Sequence, residues 1–98
     1  MVIAELSIYP MDKGEHLSPY VARALKIIKA SGIRHEFHAM GTILEGEWSD
    51  VMSVVDACYR ELEKDCSRII VNFKADSKRG GKDLIEMKVK SVREKLGG

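Results

Sequence analysis

The chain has 98 residues, of which 45% are hydrophobic and 32% are charged. A chain of this length buries about 65% of the surface that it exposes when unfolded, enough for one hydrophobic core, so we expect a single domain over residues 1–98. Because 16 Lys and Arg residues are balanced by 15 Asp and Glu residues, no field of one sign exists to attract nucleic acid or an anionic membrane. We expect neither as a partner.

The termini and cysteines predict a soluble, cytoplasmic protein. The sequence MVIAELSIYP lacks a basic region followed by a long apolar run, and no later stretch approaches the ~20 apolar residues of a membrane helix. Cys58 and Cys66 have no further cysteine or histidine nearby at metal-ligand spacing. We therefore expect no structural disulfide and no zinc site. His35 and His38 would point to opposite faces of one strand, so we expect no metal ion shared between them. We expect no cofactor either.

The first half of the chain predicts a strand, a helix and a hairpin. Residues 2–9 alternate apolar and mixed side chains, which is typical of a strand with one buried face. Ser18, followed by proline, predicts a helix start with the hydroxyl as N-cap, and Gly32 predicts the helix end. Residues 33–37 alternate again and residues 42–45 lie between two glycines, so we expect two strands joined by a tight connection.

The second half predicts a helix, a strand and a final helix. We expect Ser49 or the residue before it to cap the second helix, residues 68–75 to form the fourth strand, and the last helix to begin at about Lys82. We expect each helix to bury one apolar stripe. These stripes are Val51, Val55, Cys58 and Leu62 in the second helix, and Ile85, Val89, Val92 and Leu96 in the last.

The element order β-α-β-β-α-β with a terminal helix indicates a ferredoxin-like α+β fold. In this fold an antiparallel four-stranded sheet carries two helices on one face and leaves the other face open. Period two then places on the open face Glu5, Ser7, Tyr9, Arg68, Ile70, Asn72 and Lys74. The hairpin adds either Arg34, Glu36 and His38, or His35 and Phe37, depending on its register.

An open sheet face of this kind is either exposed to solvent or covered. The extra helix, a ligand or a second subunit could cover it. We predict a homo-oligomer, a dimer or tetramer, with polar groups in a cleft at the interface. An RNA-binding role is disfavoured because the third strand, TILEG, lacks the aromatic residues that stack bases.

A basic turn precedes the last helix. Lys78, Arg79 and Lys82 surround two glycines where free backbone N–H groups would attract an anion, although the spacing is not that of a P-loop. A solvated turn with a capping glycine explains the same residues. The turn is therefore a secondary candidate site.

No nucleophile has a histidine partner at a recognisable spacing, so we predict a binding protein and not an enzyme. The alternative is a small dimeric α+β barrel enzyme in which His38, Tyr9 and Glu36 act on a substrate between two sheets. A third possibility is a regulatory oligomer that holds an anion at the basic turn.

Several segments resemble the small thiamine-binding protein family. They are residues 40–47 (MGTILEGE), the helix start SPYV at residue 18, and the strand RIIV at residue 68 with the lysine that follows it at position 74. The likeness covers nearly the whole chain. It implies a ferredoxin-like subunit, dimers paired into tetramers through their sheets, and binding of thiamine or its hydroxymethylpyrimidine part without catalysis.

The resemblance also implies a set of ligand-binding residues. Thr42 and Glu45 lie in the matching motif, and the other expected residues are Ser7, Tyr9, Ser18, Tyr20, Asn72 and Lys74. Glu45, Thr42, Asn72 and Ser7 are suited to the aminopyrimidine, which needs a paired donor and acceptor. Tyr9, Phe37 or Tyr20, with Glu5, are suited to the thiazolium cation. Helix capping by Ser18 and cross-strand pairing of Glu45 with Lys74 or Arg34 are structural alternatives.

Overall fold

The computed structural model describes residues 1–97 as an antiparallel sheet with helices. In chain order the elements are β1 (Val2–Pro10), α1 (Ser18–Ser31), β2 (Arg34–His38), β3 (Gly41–Gly46), α2 (Trp48–Glu63), β4 (Ile69–Ser77) and α3 (Leu84–Gly97). The strand order is β2-β3-β1-β4, and α1 and α2 pack on each other and on one sheet face. The predicted ferredoxin-like α+β fold with a C-terminal helix is confirmed. None of the helices in the described residues is long and apolar enough to span a membrane.

The core lies between the sheet and the first two helices. Val2, Ala4, Leu6 and Ile8 of β1 are all buried, as period two predicts. The stripe predicted for α2 is also buried, and Ile28 of α1 and Leu44 of β3 join the same cluster. Gly32 ends α1 in the left-handed conformation, with φ of 76°, as expected for a glycine there.

The pairing of β2 with β3 determines which hairpin residues face the open side. Glu36 lies opposite Ile43, which in turn lies opposite Glu5 of β1. Arg34, Glu36 and His38 therefore belong to the open face, whereas His35 and Phe37 belong to the helix side. The same alternation separates Thr42, on the helix side, from Glu45, on the open side.

The central strand β1 is longer than its neighbour β3. It pairs with β4 over its whole length, from Val2 to Pro10, but with β3 only as far as Leu6 opposite Thr42. β3 begins at Gly41, where φ is 155° and an added Cβ would lie 2.7 Å from the carbonyl oxygen of Leu6. Only glycine fits this approach. Residues 7–10 of β1 consequently extend beyond β3 with no strand on that side.

Both predicted hydroxyl caps are wrong. Leu17 occupies the N-cap of α1, and its carbonyl already accepts from Tyr20 N and Val21 N, so Ser18 lies inside the first turn. α2 begins at Trp48 with Glu47 as its extended N-cap, one residue earlier than Ser49 or its predecessor would allow. Neither helix start has a side-chain cap hydrogen bond.

The buried stripe predicted for α3 is wrong as well. Of the helix, only Leu84 is buried, whereas Val89, Val92 and Leu96 are 47%, 58% and 80% exposed. α3 contacts β3, and Lys88 Nζ lies 2.8 Å from Asp76 Oδ2 of β4. We call the row formed by the half-buried Ile85 and the exposed Val89, Val92 and Leu96 the α3 stripe.

A carboxylate from β3 holds the start of α3. Glu45, only 5% exposed, accepts hydrogen bonds from Leu84 N at 2.8 Å and from Ile85 N at 3.0 Å. A carboxylate is favourable there because helix N-termini present unpaired N–H groups and a partial positive charge. Arg34, the cross-strand neighbour of Glu45, instead pairs with Asp83 and Glu86.

Replacing Glu45 by alanine should destabilise the fold by about 1–3 kcal/mol, because a buried and a half-buried amide lose a charged acceptor. Denaturant unfolding measures the loss. Glu47→Ala is the control, since Glu47 is exposed and has only a 4.0 Å contact with the N-terminal ammonium. Equal effects of the two substitutions would contradict the role assigned to Glu45.

Candidate functional site

A cavity of about 320 Å³ lies beside the overhanging end of β1. Its walls come from residues 6–9 of β1, from residues 37–42 of the hairpin, and from Leu17, Val21, Ala24, Leu25 and Ile28 in and just before α1. We call it the edge cavity. Four further hollows in the described residues are more open to solvent. Its volume falls at the small end of the range typical of ligand sites.

The edge cavity exists because the sheet has a gap at this position. Residues from both faces reach it, including Leu6 and Ile8 from the helix side and Ser7 and Tyr9 from the open side. α1 covers the gap on one side with aliphatic side chains. The result is an apolar site with few polar groups, which is the usual composition of a small-molecule pocket.

Thr42 contributes a side-chain hydroxyl to this lining. The residue is 5% exposed, and no hydrogen bond within residues 1–97 involves its hydroxyl. A hydroxyl both donates and accepts, so Thr42 is available to a polar group of a ligand.

The β2–β3 turn forms the mouth of the edge cavity. Phe37 is 50% exposed and Met40 is 79% exposed, so two large apolar side chains stand open to solvent there. His38 stabilises the turn because its Nδ1 accepts from Met40 N at 3.2 Å. Its Nε2 lies 3.4 Å from Glu5 Oε2, an arrangement that puts the proton of a neutral ring on Nε2.

Apart from Glu45, the predicted ligand-binding residues separate into three groups. Ser7, Tyr9 and Thr42 line the edge cavity. Ser7 also borders a shallow hollow on the open face with Asn72, Lys74 and Glu5. Ser18 and Tyr20 line neither site, since Ser18 is exposed in the first turn of α1 and Tyr20 packs against the core with Arg23 5.6 Å from its ring centre.

Glu45 and the start of α3 are hydrogen-bonded to each other, so neither is free to bind a ligand. The amides of Leu84 and Ile85, which an anion at the basic turn would need, donate to Glu45. Lys78, Arg79 and Lys82 are exposed beside them. An anion at this turn would therefore compete with a carboxylate of the same chain.

The sequence interpretation missed the aliphatic half of the edge cavity. Leu17, Val21 and Leu25 occur at spacing that indicates a core-facing helix, and they do face inward. Part of this helix covers a cavity instead of a strand because β3 begins only at Gly41 and so does not extend alongside residues 7–10 of β1. The start of β3 depends on the close contact between Gly41 and Leu6, which are distant in sequence, so local patterns do not show it.

The loop that leads to Leu17 is tied to the opposite edge of the sheet. Asp12 accepts from Ser67 N and Ser67 Oγ, both at 2.8 Å, and from Arg68 N at 3.4 Å. These hydrogen bonds, led by the one from Ser67 N, lower the pKa of Asp12 to about 2. The carboxylate form therefore holds this loop in place.

The two cysteines show no sign of reactivity. Both are free and buried, and Cys58 donates to Ala24 O in the core. Burial raises the pKa of the Cys58 thiol to about 11. A thiol with that pKa stays protonated near neutral pH and acts as core packing.

Comparison with known proteins identifies the family. The family model described as thiamine-binding protein matches residues 4–93. The chain belongs to the thiamine-binding protein family. The resemblance seen in residues 40–47 and the flanking segments is thus confirmed.

Relatives of this thiamine-binding family member match almost end to end. The UPF0045 protein MJ1052 of Methanocaldococcus jannaschii is 32% identical, covering 95% of this chain and 93% of its own length. YqgV of Bacillus subtilis is 33% identical, with 98% of both chains covered. These relatives show how widely the family occurs among bacteria and archaea.

Solved structures support the same fold. The crystal structure of MJ1052 superposes with a TM-score of 0.87 at 32% identity, covering 95% of this chain and 96% of that one. Protein TM0486 of Thermotoga maritima, whose name links it to thiamine biosynthesis or salvage, gives a TM-score of 0.82 at 29% identity, with 94% and 98% covered. A thiamine-related role is the function that these comparisons support.

Acid should remove the contribution of Asp12 to stability. Because its folded pKa of about 2 lies below the ordinary value of 3.8, the contribution is complete above that ordinary value and disappears as the pH falls towards 2. The difference in Tm between wild type and Asp12→Ala should accordingly shrink across this interval. A difference that stayed constant down to pH 2 would show that Asp12 does not act through its charge.

Proposed function

We propose that this protein binds thiamine, or its hydroxymethylpyrimidine part, in the edge cavity, and acts as a carrier or sensor and not as an enzyme. The observation that carries the proposal is the edge cavity itself, an apolar site with the Thr42 hydroxyl in its wall in a member of the thiamine-binding protein family. The proposed site therefore lies in the gap beside β1 and not, as the sequence predicts, on the open sheet face.

The two halves of thiamine suit different parts of this site. The flat pyrimidine matches the interior, where Val21 and Leu25 of α1 offer an apolar surface and Thr42 offers a hydroxyl. The thiazolium cation matches the mouth, where the half-exposed Phe37 ring is available for a cation–π contact and Glu5 lies behind His38. Asn72 and Lys74 lie outside the edge cavity on the open face and are candidates only for a ligand that extends beyond thiamine itself.

The surroundings of His38 support binding without catalysis. Its Nδ1 accepts from the Met40 amide and its Nε2 faces Glu5, so neither ring nitrogen is turned towards Tyr9 or Glu36. Glu36 lies instead beside α3, near Val89 and Arg93. In the enzyme alternative, these three side chains would have to rearrange before His38 could serve as a general base.

We infer that two or more copies assemble through the open face and the α3 stripe. The part of the open face beyond α3 is uncovered in a single subunit, and the helix leaves Val89, Val92 and Leu96 exposed beside it. A second copy would bury this apolar row, since a self-complementary interface is the common route to a symmetric dimer. The cytoplasm is the compartment we expect for such an assembly with two free cysteines.

Thr42→Val should weaken thiamine binding about fivefold to tenfold, because it replaces the cavity hydroxyl by a methyl group of the same size. Titration calorimetry measures the affinity, and a thermal shift gives a rapid screen, since ligand at about 100 times its Kd adds ~2.7 kcal/mol of stability.

Asn72→Ala on the open face is the matched control and should leave this affinity unchanged. The reverse pattern would move the site to the open face. Absence of any shift with thiamine, its phosphates or hydroxymethylpyrimidine would overturn the proposed function.

Val92→Asp should shift the protein towards monomer, because it places a charge in the apolar row that a second copy is expected to cover. Sedimentation at micromolar concentration measures the change. Ser91→Asp adds the same charge one position away from the α3 stripe and should have little effect. A monomeric wild-type protein would contradict the assembly.

A further inference from the structure

The overhanging part of β1 has a backbone edge that faces the edge cavity. In an antiparallel sheet, the N–H and C=O of one residue point to the same side, and successive residues point to opposite sides. The Leu6 carbonyl approaches Gly41 of β3, whereas the Met11 amide donates to Arg68 O, before β4, at 2.7 Å. The backbone N–H and C=O groups of even-numbered residues of β1 therefore point towards β3, and those of odd-numbered residues point towards β4.

By this alternation, the peptide N–H and C=O of Ile8 face the β3 side, where β3 is missing. The residue that would oppose Ile8 is Met40, but Met40 lies in the turn and donates its own amide to His38 Nδ1. Within residues 1–97, no hydrogen bond joins the backbone of Ile8 to this turn. Ile8 is 6% exposed, so its donor and acceptor are unpaired at a largely buried position, which is rare for backbone groups.

We infer that the backbone edge of Ile8 recognises a 4-aminopyrimidine ring, an inference that rests on the proposed function. Such a ring has an exocyclic amine next to a ring nitrogen, a donor beside an acceptor. The amine donates to the Ile8 C=O, and the ring nitrogen accepts from the Ile8 N–H. The ring thus takes the place of the missing strand residue and continues the sheet by one pair of hydrogen bonds.

This recognition discriminates by the order of donor and acceptor. The N–H of a peptide cannot accept and its C=O cannot donate, whereas the hydroxyls of Ser7 and Thr42 can do both. A 4-oxopyrimidine, with its carbonyl and ring N–H, reverses the pattern and would set like groups against each other at Ile8. Recognition by hydroxyls alone would tolerate the exchange.

The first test compares thiamine with its 4-oxo analogue by titration calorimetry on the wild-type protein. We expect the analogue to bind at least tenfold more weakly, since both groups of the Ile8 peptide would lose their partners. Equal affinity for the two compounds would overturn the inference and leave the proposed function standing. No binding of either compound would overturn both.

The second test replaces the Ile8 amide by an ester, using the α-hydroxy acid that keeps the isoleucine side chain. The change removes the Ile8 N–H, which faces away from β4, and weakens the Ser7 carbonyl as an acceptor towards β4, so we expect thiamine affinity to fall about tenfold and the Tm to fall slightly. The same replacement at Ile3, whose N–H belongs to the β4 ladder, leaves the N–H and C=O of Ile8 unchanged, so it should lower the Tm and leave the affinity nearly unchanged. An unaltered affinity of the Ile8 ester for thiamine would likewise overturn the inference.

Discussion

The close approach of the Leu6 carbonyl to Gly41 is the constraint on which this molecule depends. It sets the last register position shared by β1 and β3, and so it decides where the sheet stops being continuous. β1 continues because β4 supports it along its full length. α1 covers the region where the third strand is absent. A cavity with aliphatic walls and a strand backbone along one side is the direct result of this difference in strand length.

The second constraint is the attachment of α3 through Glu45. One carboxylate satisfies two amides at the helix start, and Arg34 adds contacts to Asp83 and Glu86. This use of Glu45 shows that a residue in a family motif can be required by the fold and not by a ligand. Thr42, three positions earlier in the same strand, faces the opposite way and is available to the edge cavity. The two halves of the motif thus contribute to different parts of the structure.

Local periodicity predicts the sheet well because side-chain direction in a strand depends only on position parity. Glu5, Ser7 and Asn72 were placed on the correct face for this reason. Helix stripes are less informative: α2 buries its stripe, whereas α3 has a similar pattern and exposes most of it. The difference lies in what each helix packs against, a non-local property. The edge cavity was unpredictable for the same reason, since it depends on where two strands separated by more than thirty residues stop pairing.

The elongated shape of the described residues affects how the molecule moves in solution. The Cα radius of gyration is 14.7 Å, whereas a compact chain of this length has about 13 Å. The longest dimension, 47 Å, is more than twice the shortest, 20 Å. An elongated particle elutes from a gel-filtration column ahead of a sphere of equal mass. A single subunit would therefore resemble a larger species on such a column, and a mass determination that is independent of shape is needed to count subunits.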